Sequence, residues 1–287
     1  MGETISKFLT CVDYTVSNKK FDLIYNEKYD MLETFPQPKG RELASYYESE
    51  TYISHTDAKR SITDKIYQIV KKHTLQKKLH LLNSFKTEGK NLLDVGCGTG
   101  EFLVVCKNKG WNVVGVEPNK NARELALSKL NTENNTEIIN DLFEVENQKF
   151  DVITLWHVLE HVPMLDEYIQ KLKSLLKPNG RIVVAVPNFK SFDAYYYKQF
   201  WAAYDVPRHL WHFSKKAIDI IFKKEQLIVA EVKPMYFDSF YVSMLSEKYM
   251  YGKASLFKAF WVGLISNLKA VTTKEYSSII YVIKNSN

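Results

Sequence analysis

Asn91-Leu92-Leu93-Asp94-Val95-Gly96-Cys97-Gly98-Thr99-Gly100-Glu101-Phe102 reads as an apolar strand ending in an acid, a loop with glycine at every second position, and the start of an apolar helix. Glycines at alternate positions let the backbone turn sharply and approach a ligand where a Cβ would collide. The unpaired N–H groups of the following helix point back at that loop. Such a loop cradles a nucleotide-like cofactor. A dinucleotide fingerprint, Gly-x-Gly-x-x-Gly, spaces its third glycine differently and sets a pyrophosphate on the helix N-terminus. With glycines at 96, 98 and 100 and Asp94 just before them, a pyrophosphate would be repelled, and a ligand carrying an ammonium and a sulfonium would suit. A second strand, 111–116, ends in Glu117-Pro118. A carboxylate at that strand tip can accept hydrogen bonds from both hydroxyls of a ribose.

Outward from the loop, residues 90–188 alternate strand and helix: strands at 91–95, 112–117, 136–140, 150–155 and 181–186, with helices after 100, 119 and 164. Gly110 stops the first helix, and Pro178-Asn179-Gly180 marks a turn. This alternation predicts an α/β fold, a doubly wound and mainly parallel sheet with right-handed crossovers. Upstream, 56–85 lacks Gly and Pro and repeats Ile62, Ile66, Ile69, Val70, Leu79 and Leu82 at helical spacing. Residues 1–85 are therefore expected to form an N-terminal lid or helical region, ahead of a main domain at 86–287. After Pro187-Asn188 comes an aromatic insert, about 189–213, then Ser214 as N-cap of a helix over 215–224 and a strand at 227–232. A second insert, about 235–275, precedes a last strand at 278–283.

Five blocks in order, 92–102, 113–118, 138–142, Phe150-Asp151-Val152-Ile153-Thr154-Leu155-Trp156-His157-Val158-Leu159-Glu160-His161-Val162 and 175–188, make the chain resemble the class I S-adenosylmethionine-dependent methyltransferases of the small-molecule and sugar type. The resemblance covers roughly the middle third of the chain and implies a Rossmann-like, seven-stranded sheet closed by an antiparallel hairpin of its sixth and seventh strands. It implies S-adenosyl-L-methionine as cofactor and S-adenosyl-L-homocysteine as product. Asp94, Gly96, Cys97, Gly98 and Gly100 would hold the methionine moiety, Glu117 with Pro118 the ribose, and Asp141 with Leu142 the adenine. Leu155, Trp156 and His157 would line the methionine side, and Tyr47, Tyr52 and His55 read equally as lid contacts to the cofactor or as packing against the long helix. Many such relatives begin with a zinc ribbon of paired Cys-x-x-Cys; only Cys11 stands in for it, so no metal is expected.

Methyl transfer from a sulfonium is a direct displacement, so positioning matters most and a general base helps when the acceptor is a hydroxyl. The aromatic insert supplies His209 as the first candidate base, with His157 as its rival. Its aromatic residues read equally as the wall of an acceptor pocket or as a satellite core in which Asp205 and Arg208 form a structural pair. His157-Val158-Leu159-Glu160-His161 also spells an inverted zinc-protease motif, which requires a continuous helix. It begins at a strand end and is closed off by Pro163, so that reading is set aside. The expected reaction is methylation, on oxygen first, of a small-molecule or sugar- or lipid-linked acceptor. The alternatives are a cofactor-binding module without turnover, an RNA or protein methyltransferase, and a nicotinamide dehydrogenase.

Composition narrows the partners. With 287 residues, 45% apolar and 25% charged, the chain is an ordinary globular protein whose net charge of +6 is spread along its length. The densest basic cluster, Lys71-Lys72 with Lys77-Lys78, reads as a solvated helix face, so no nucleic acid is expected. Cys11, Cys97 and Cys106 form no disulfide framework, Met1–Thr10 lacks a leader's apolar run, and no stretch reaches the length of a membrane span; a cytoplasmic protein is expected. Leu256, Phe257, Phe260, Trp261, Leu264, Ile265, Leu268 and Val271 form one helical stripe with Lys253, Lys258 and Lys269 nearby. A packed helix or a dimer face is expected before a membrane-surface helix, and a monomer or homodimer overall.

Overall fold

The structure, a computed structural model, describes residues 6–47, 62–130 and 137–286. The strands are β1 Ser6–Val12, β2 Lys20–Asn26, β3 Met31–Phe35, β4 Asn91–Val95, β5 Asn112–Val116, β6 Glu137–Ile139, β7 Phe150–Trp156, β8 Leu176–Pro187, β9 Trp211–His212, β10 Leu227–Pro234 and β11 Ser278–Asn285. The helices, numbered separately, are α1 Arg41–Ser45, α2 Ile62–Ser84, α3 Glu101–Lys107, α4 Lys120–Leu130, α5 Leu165–Leu175, α6 Phe192–Tyr197, α7 Lys215–Lys224, α8 Asp238–Tyr251 and α9 Leu256–Thr273.

Seven strands form one sheet in the order β10-β11-β8-β7-β4-β5-β6. β4 pairs in parallel with both β5 and β7, and β5 with β6. Strand order reverses beside β4, and in open sheets ligands settle at the carboxyl ends of strands at that reversal. The glycine loop follows β4, so its placement is the one expected of a cofactor cradle. β8 begins at Leu176, earlier than the sequence suggested, so Pro178-Asn179-Gly180 lies inside the strand rather than in a turn. Ser214 caps α7 as expected, accepting the Ala217 N–H at 3.0 Å.

The chain divides into two compact units. One comprises Met1–Glu48, His157–Asp166 and Val184–Val282; the other comprises Ser49–Trp156, Glu167–Val183 and Ile283–Asn287. Within the first unit, β1, β2 and β3 pair antiparallel and β9 completes a four-stranded sheet. Cys11, Phe21, Leu23 and Leu32 share a buried cluster with Tyr197, Trp201 and Tyr204 from the aromatic insert. The insert is thus a satellite core. Its indoles and phenols are buried against the N-terminal sheet, and Trp201 donates to the buried Asp193 carboxylate at 2.7 Å. This shared core is why the N-terminal strands group with the inserts while α2 groups with the glycine loop.

The second insert is a hairpin of α8 and α9. Ala259, Val262, Gly263, Ser266 and Ala270 are its buried face, and Gly263 lies so close to Phe240 that a Cβ would meet its ring carbon at 2.8 Å. That small-residue seam, not the large apolar stripe, does the packing. Leu256, Phe257, Phe260, Trp261, Ile265, Leu268 and Val271 face outward, with Phe257 74% exposed. No helix among the described residues is long and apolar enough to cross a membrane.

In the second unit the sheet is closely covered at Gly115, where a Cβ would meet Cys97 Sγ and Ile138 Cδ1 at 2.7 Å and Leu103 Cδ1 at 2.8 Å. Overpacking a filled core costs about 1–3 kcal/mol. Gly115→Val should therefore lower the melting temperature; a parental melting curve would show this face to be loosely packed.

Candidate active site

The loop after β4 is built on three left-handed glycines, Gly96, Gly98 and Gly100, at φ 71°, 53° and 76°. The Gly96 and Cys97 N–H groups donate to the Val116 carbonyl at 2.7 and 3.0 Å, folding the loop over the tip of β5. There Glu117 takes over: Oε2 accepts the Gly98 N–H and Oε1 the Asn119 N–H, both at 2.9 Å. Burial pushes the Glu117 carboxyl up, opposed by these two N–H groups. A Cβ at Gly98 would meet nothing within 4 Å, so open space lies beside that carboxylate. At Gly100 a Cβ would strike Ala126 Cβ at 2.9 Å, so this glycine seats α4 against the loop rather than facing a ligand.

The other expected cofactor residues divide by burial. Asp94 is buried and accepts the Thr154 hydroxyl at 2.5 Å. Burial raises its carboxyl to about 6, against the pull of Thr154 and of the Lys78 charge. It is therefore an acid held inside the strand tip. Cys97 turns its sulfur into the core over Gly115, and Leu142 and Leu155 are fully packed, leaving only main chain to touch a ligand. Asp141 caps the 3-10 turn Leu142–Glu144, accepting the Phe143 N–H at 3.0 Å. The Glu117 and Pro118 carbonyls accept from Arg123 at 2.8 and 2.6 Å, which braces the strand tip. Trp156 ends β7 partly exposed, with the Phe102 ring at 5.9 Å and Lys78 Nζ 4.2 Å above its own ring. Lys78, taken from the sequence as part of a solvated face, turns inward; its place beside Leu79 and four before Leu82 on the apolar stripe was the available signal. Tyr52 and His55 lie outside the described residues.

In the first unit, His157 follows β7 at φ 57°, and its N–H donates to the Ala185 carbonyl at 2.9 Å. Its Nε2 lies 3.0 Å from Asp238 Oδ2 and its Nδ1 3.4 Å from Glu160 Oε1. Burial lowers its pKa, but the Asp238 and Glu160 carboxylates win and raise it to about 10. Both ring nitrogens therefore carry protons, and His157 cannot act as the base. His209 is different. Its Nδ1 faces the Ala203 carbonyl at 2.9 Å and donates there, so in the neutral ring the lone pair is on Nε2, which lies 4.0 Å from Glu160 Oε1 and 3.9 Å from Asp205 Oδ2. His161, not singled out from the sequence, stands edge-on to His209 with ring centroids 4.5 Å apart. Its Nδ1 lies 3.0 Å from the Tyr47 hydroxyl and 3.1 Å from the Arg208 carbonyl, and burial lowers its pKa to about 4. Arg208 is the structural partner of Asp205, with Nε to Oδ2 at 2.9 Å, and Asp13 and Thr15 stand on its far side. Glu160 and His161 sit on the 3-10 turn Leu159–His161, not on a helix, which removes the zinc-protease geometry. The Leu210 N–H donates to the Glu160 carbonyl at 2.8 Å and fastens the His209 segment to that turn.

Known proteins place this architecture. A family model described as a methyltransferase domain matches residues 67–232, more than half of the chain. A ubiquinone biosynthesis O-methyltransferase of Coxiella burnetii is 31% identical over 142 residues, 45% of this chain and 60% of that protein. One from Actinobacillus pleuropneumoniae serotype 7 is 37% identical over 140 residues, 42% of this chain and 58% of that protein. The match spans about three fifths of the length of these curated relatives. Among solved structures, magnesium protoporphyrin IX methyltransferase from Synechocystis PCC 6803 with bound SAH superposes with TM-score 0.57 at 16% identity, covering 86% of this chain and all (100%) of that one. The Burkholderia thailandensis 1,6-didemethyltoxoflavin-N1-methyltransferase gives 0.55 at 12% identity, covering 96% of this chain and 100% of that one. At those identities the superpositions show the fold alone, and it is the seven-stranded fold the sequence implied. The chain belongs to the methyltransferase-domain family, within the class I S-adenosylmethionine-dependent methyltransferases.

Proposed function

We propose that this chain methylates a hydroxyl of a small-molecule acceptor with S-adenosylmethionine. The observation that carries the reading is the open space at Gly98 beside the Glu117 carboxylate, at the point where strand order reverses. The fit of the cofactor follows from the same residues. Each Glu117 oxygen spends one lone pair on a backbone N–H and keeps another, enough to accept both hydroxyls of a ribose. When bound, the cofactor supplies an electrophilic methyl on its sulfonium. The glycine loop lets main chain approach it, and Asp94 lends a negative field. Oxygen is favoured over nitrogen because the curated relatives are named O-methyltransferases. Of the two histidines proposed from the sequence, only His209 retains a lone pair for an acceptor proton.

We also infer that the outward face of α9 docks on an anionic lipid surface. Phe257, Phe260, Trp261 and Leu268 are exposed on a helix that carries Lys258 and Lys269 and no acidic residue. Aromatic and aliphatic groups beside lysines match the acyl and headgroup layers of such a surface.

Three outcomes test these readings. Calorimetry with S-adenosylhomocysteine should show no binding to Gly98→Val and a loss of about 1–3 kcal/mol for Glu117→Ala; parental affinity in either variant would remove the assigned pocket. Because burial holds Asp94 at about 6, the protein must release a proton to meet the cofactor's cation as pH falls below that value. Affinity for S-adenosylmethionine should then drop by up to about tenfold per pH unit, and a flat profile between pH 5 and 8 would contradict the role given to Asp94. The full chain should co-sediment with phosphatidylglycerol vesicles but not with phosphatidylcholine ones, and Phe257→Asp should abolish this. A parent that stays in the supernatant, or a parental dimer split by the same substitution, would overturn the lipid assignment.

A further inference from the structure

We propose that Glu160, His161 and His209 form a binding site for one divalent transition-metal ion, zinc in type. Each of the three offers a ligand atom, and these atoms all lie within 4.8 Å of one another.

The surrounding hydrogen bonds prepare the donors. His161 and His209 both direct Nδ1 at main-chain carbonyls, of Arg208 at 3.1 Å and of Ala203 at 2.9 Å. A carbonyl only accepts, so in the neutral rings both Nδ1 atoms carry the proton, that of His161 shared between the Arg208 carbonyl and the Tyr47 hydroxyl at 3.0 Å, and both Nε2 atoms carry lone pairs. Metal-binding histidines are oriented in this way, with the far nitrogen tied to a carbonyl or carboxylate. The third donor is incomplete without an ion. Glu160 is 1% exposed, and neither of its carboxylate oxygens has a hydrogen-bond partner. A buried carboxylate left without donors is costly. The neighbouring cations leave that deficit in place. His157 Nδ1 stands 3.4 Å from Oε1, a charge contact longer than a good hydrogen bond, while its Nε2 is committed to Asp238 at 3.0 Å. Arg208 is held by Asp205.

Two imidazoles and one carboxylate are a donor set of catalytic zinc sites, which keep a further position open. The ligands come from two segments, the 3-10 turn at 159–161 and the insert at 209, pinned together by the Leu210 N–H to Glu160 carbonyl bond of 2.8 Å. Resting on the methyltransferase reading, the open position would take an oxygen donor. The His209 lone pair would then hold the ion instead of serving as a free base.

The test uses the full chain, stripped with chelator and titrated with Co²⁺ as a coloured probe, then with Zn²⁺. The expected result is a visible absorption band that saturates at one equivalent and is displaced by Zn²⁺. His161→Ala, His209→Ala and Glu160→Gln should each weaken Co²⁺ binding by on the order of 100-fold. Thermal stabilisation by S-adenosylhomocysteine, measured on every variant, reports whether the fold and the glycine loop are intact. A parent without a saturable band overturns the proposal, as do variants that keep the cofactor-induced shift and bind Co²⁺ like the parent. Saturable Co²⁺ binding in a parent that S-adenosylhomocysteine does not stabilise would support the metal site while removing the methyltransferase reading.

Discussion

A single buried carboxylate, Glu117, ties the glycine loop to the neighbouring strand tip. It accepts the Gly98 and Asn119 N–H groups at 2.9 Å each and so fixes the loop at the reversal of the sheet. Two backbone donors hold it in place, yet its remaining lone pairs and the open volume at Gly98 leave it able to receive a diol. The other loop residues serve this arrangement: Gly100 admits α4, Cys97 fills the space over Gly115, and Asp94 locks to Thr154. Much of what resembles a ligand shell in the sequence is the scaffold that keeps one carboxylate and one glycine in register.

The strands between residues 91 and 187 were legible because glycines punctuate them and their apolar runs are local. The helix starts after 100, 119 and 164 were legible for the same reason. The N-terminal sheet was not. Its strands are short, and β3 is completed by the two-residue β9, so the Glu33–Trp211 pairing joins residues far apart in sequence. Aromatic residues at 195–213 carried no signal to distinguish a pocket wall from a core; the partners that bury them, Cys11, Phe21 and Leu23, lie at the opposite end of the chain. The stripe on α9 was visible as a periodicity, but the small residues at 259, 262, 263, 266 and 270 decide which side packs.

The histidines show the same limit at the level of chemistry. His209 was the first candidate base and His157 its rival, and their neighbours distinguish them: two carboxylates face one ring, and a main-chain carbonyl ties Nδ1 of the other. Glu160 and His161 were read as part of the 150–162 family block and of a protease motif, and neither reading made them a site. Their geometry depends on a 3-10 turn and on a residue 48 positions away (209 − 161), which no local spacing reveals.

The central claim is that the bend at Gly96–Gly100 and the Glu117 carboxylate together receive an adenosyl amino-acid cofactor. A crystal structure of the full chain grown with S-adenosylhomocysteine tests it most directly. The account predicts both ribose hydroxyls on Glu117 and the homocysteine tail along the Gly96–Gly100 main chain. Ligand density elsewhere, or ribose hydroxyls that do not meet Glu117, would contradict it.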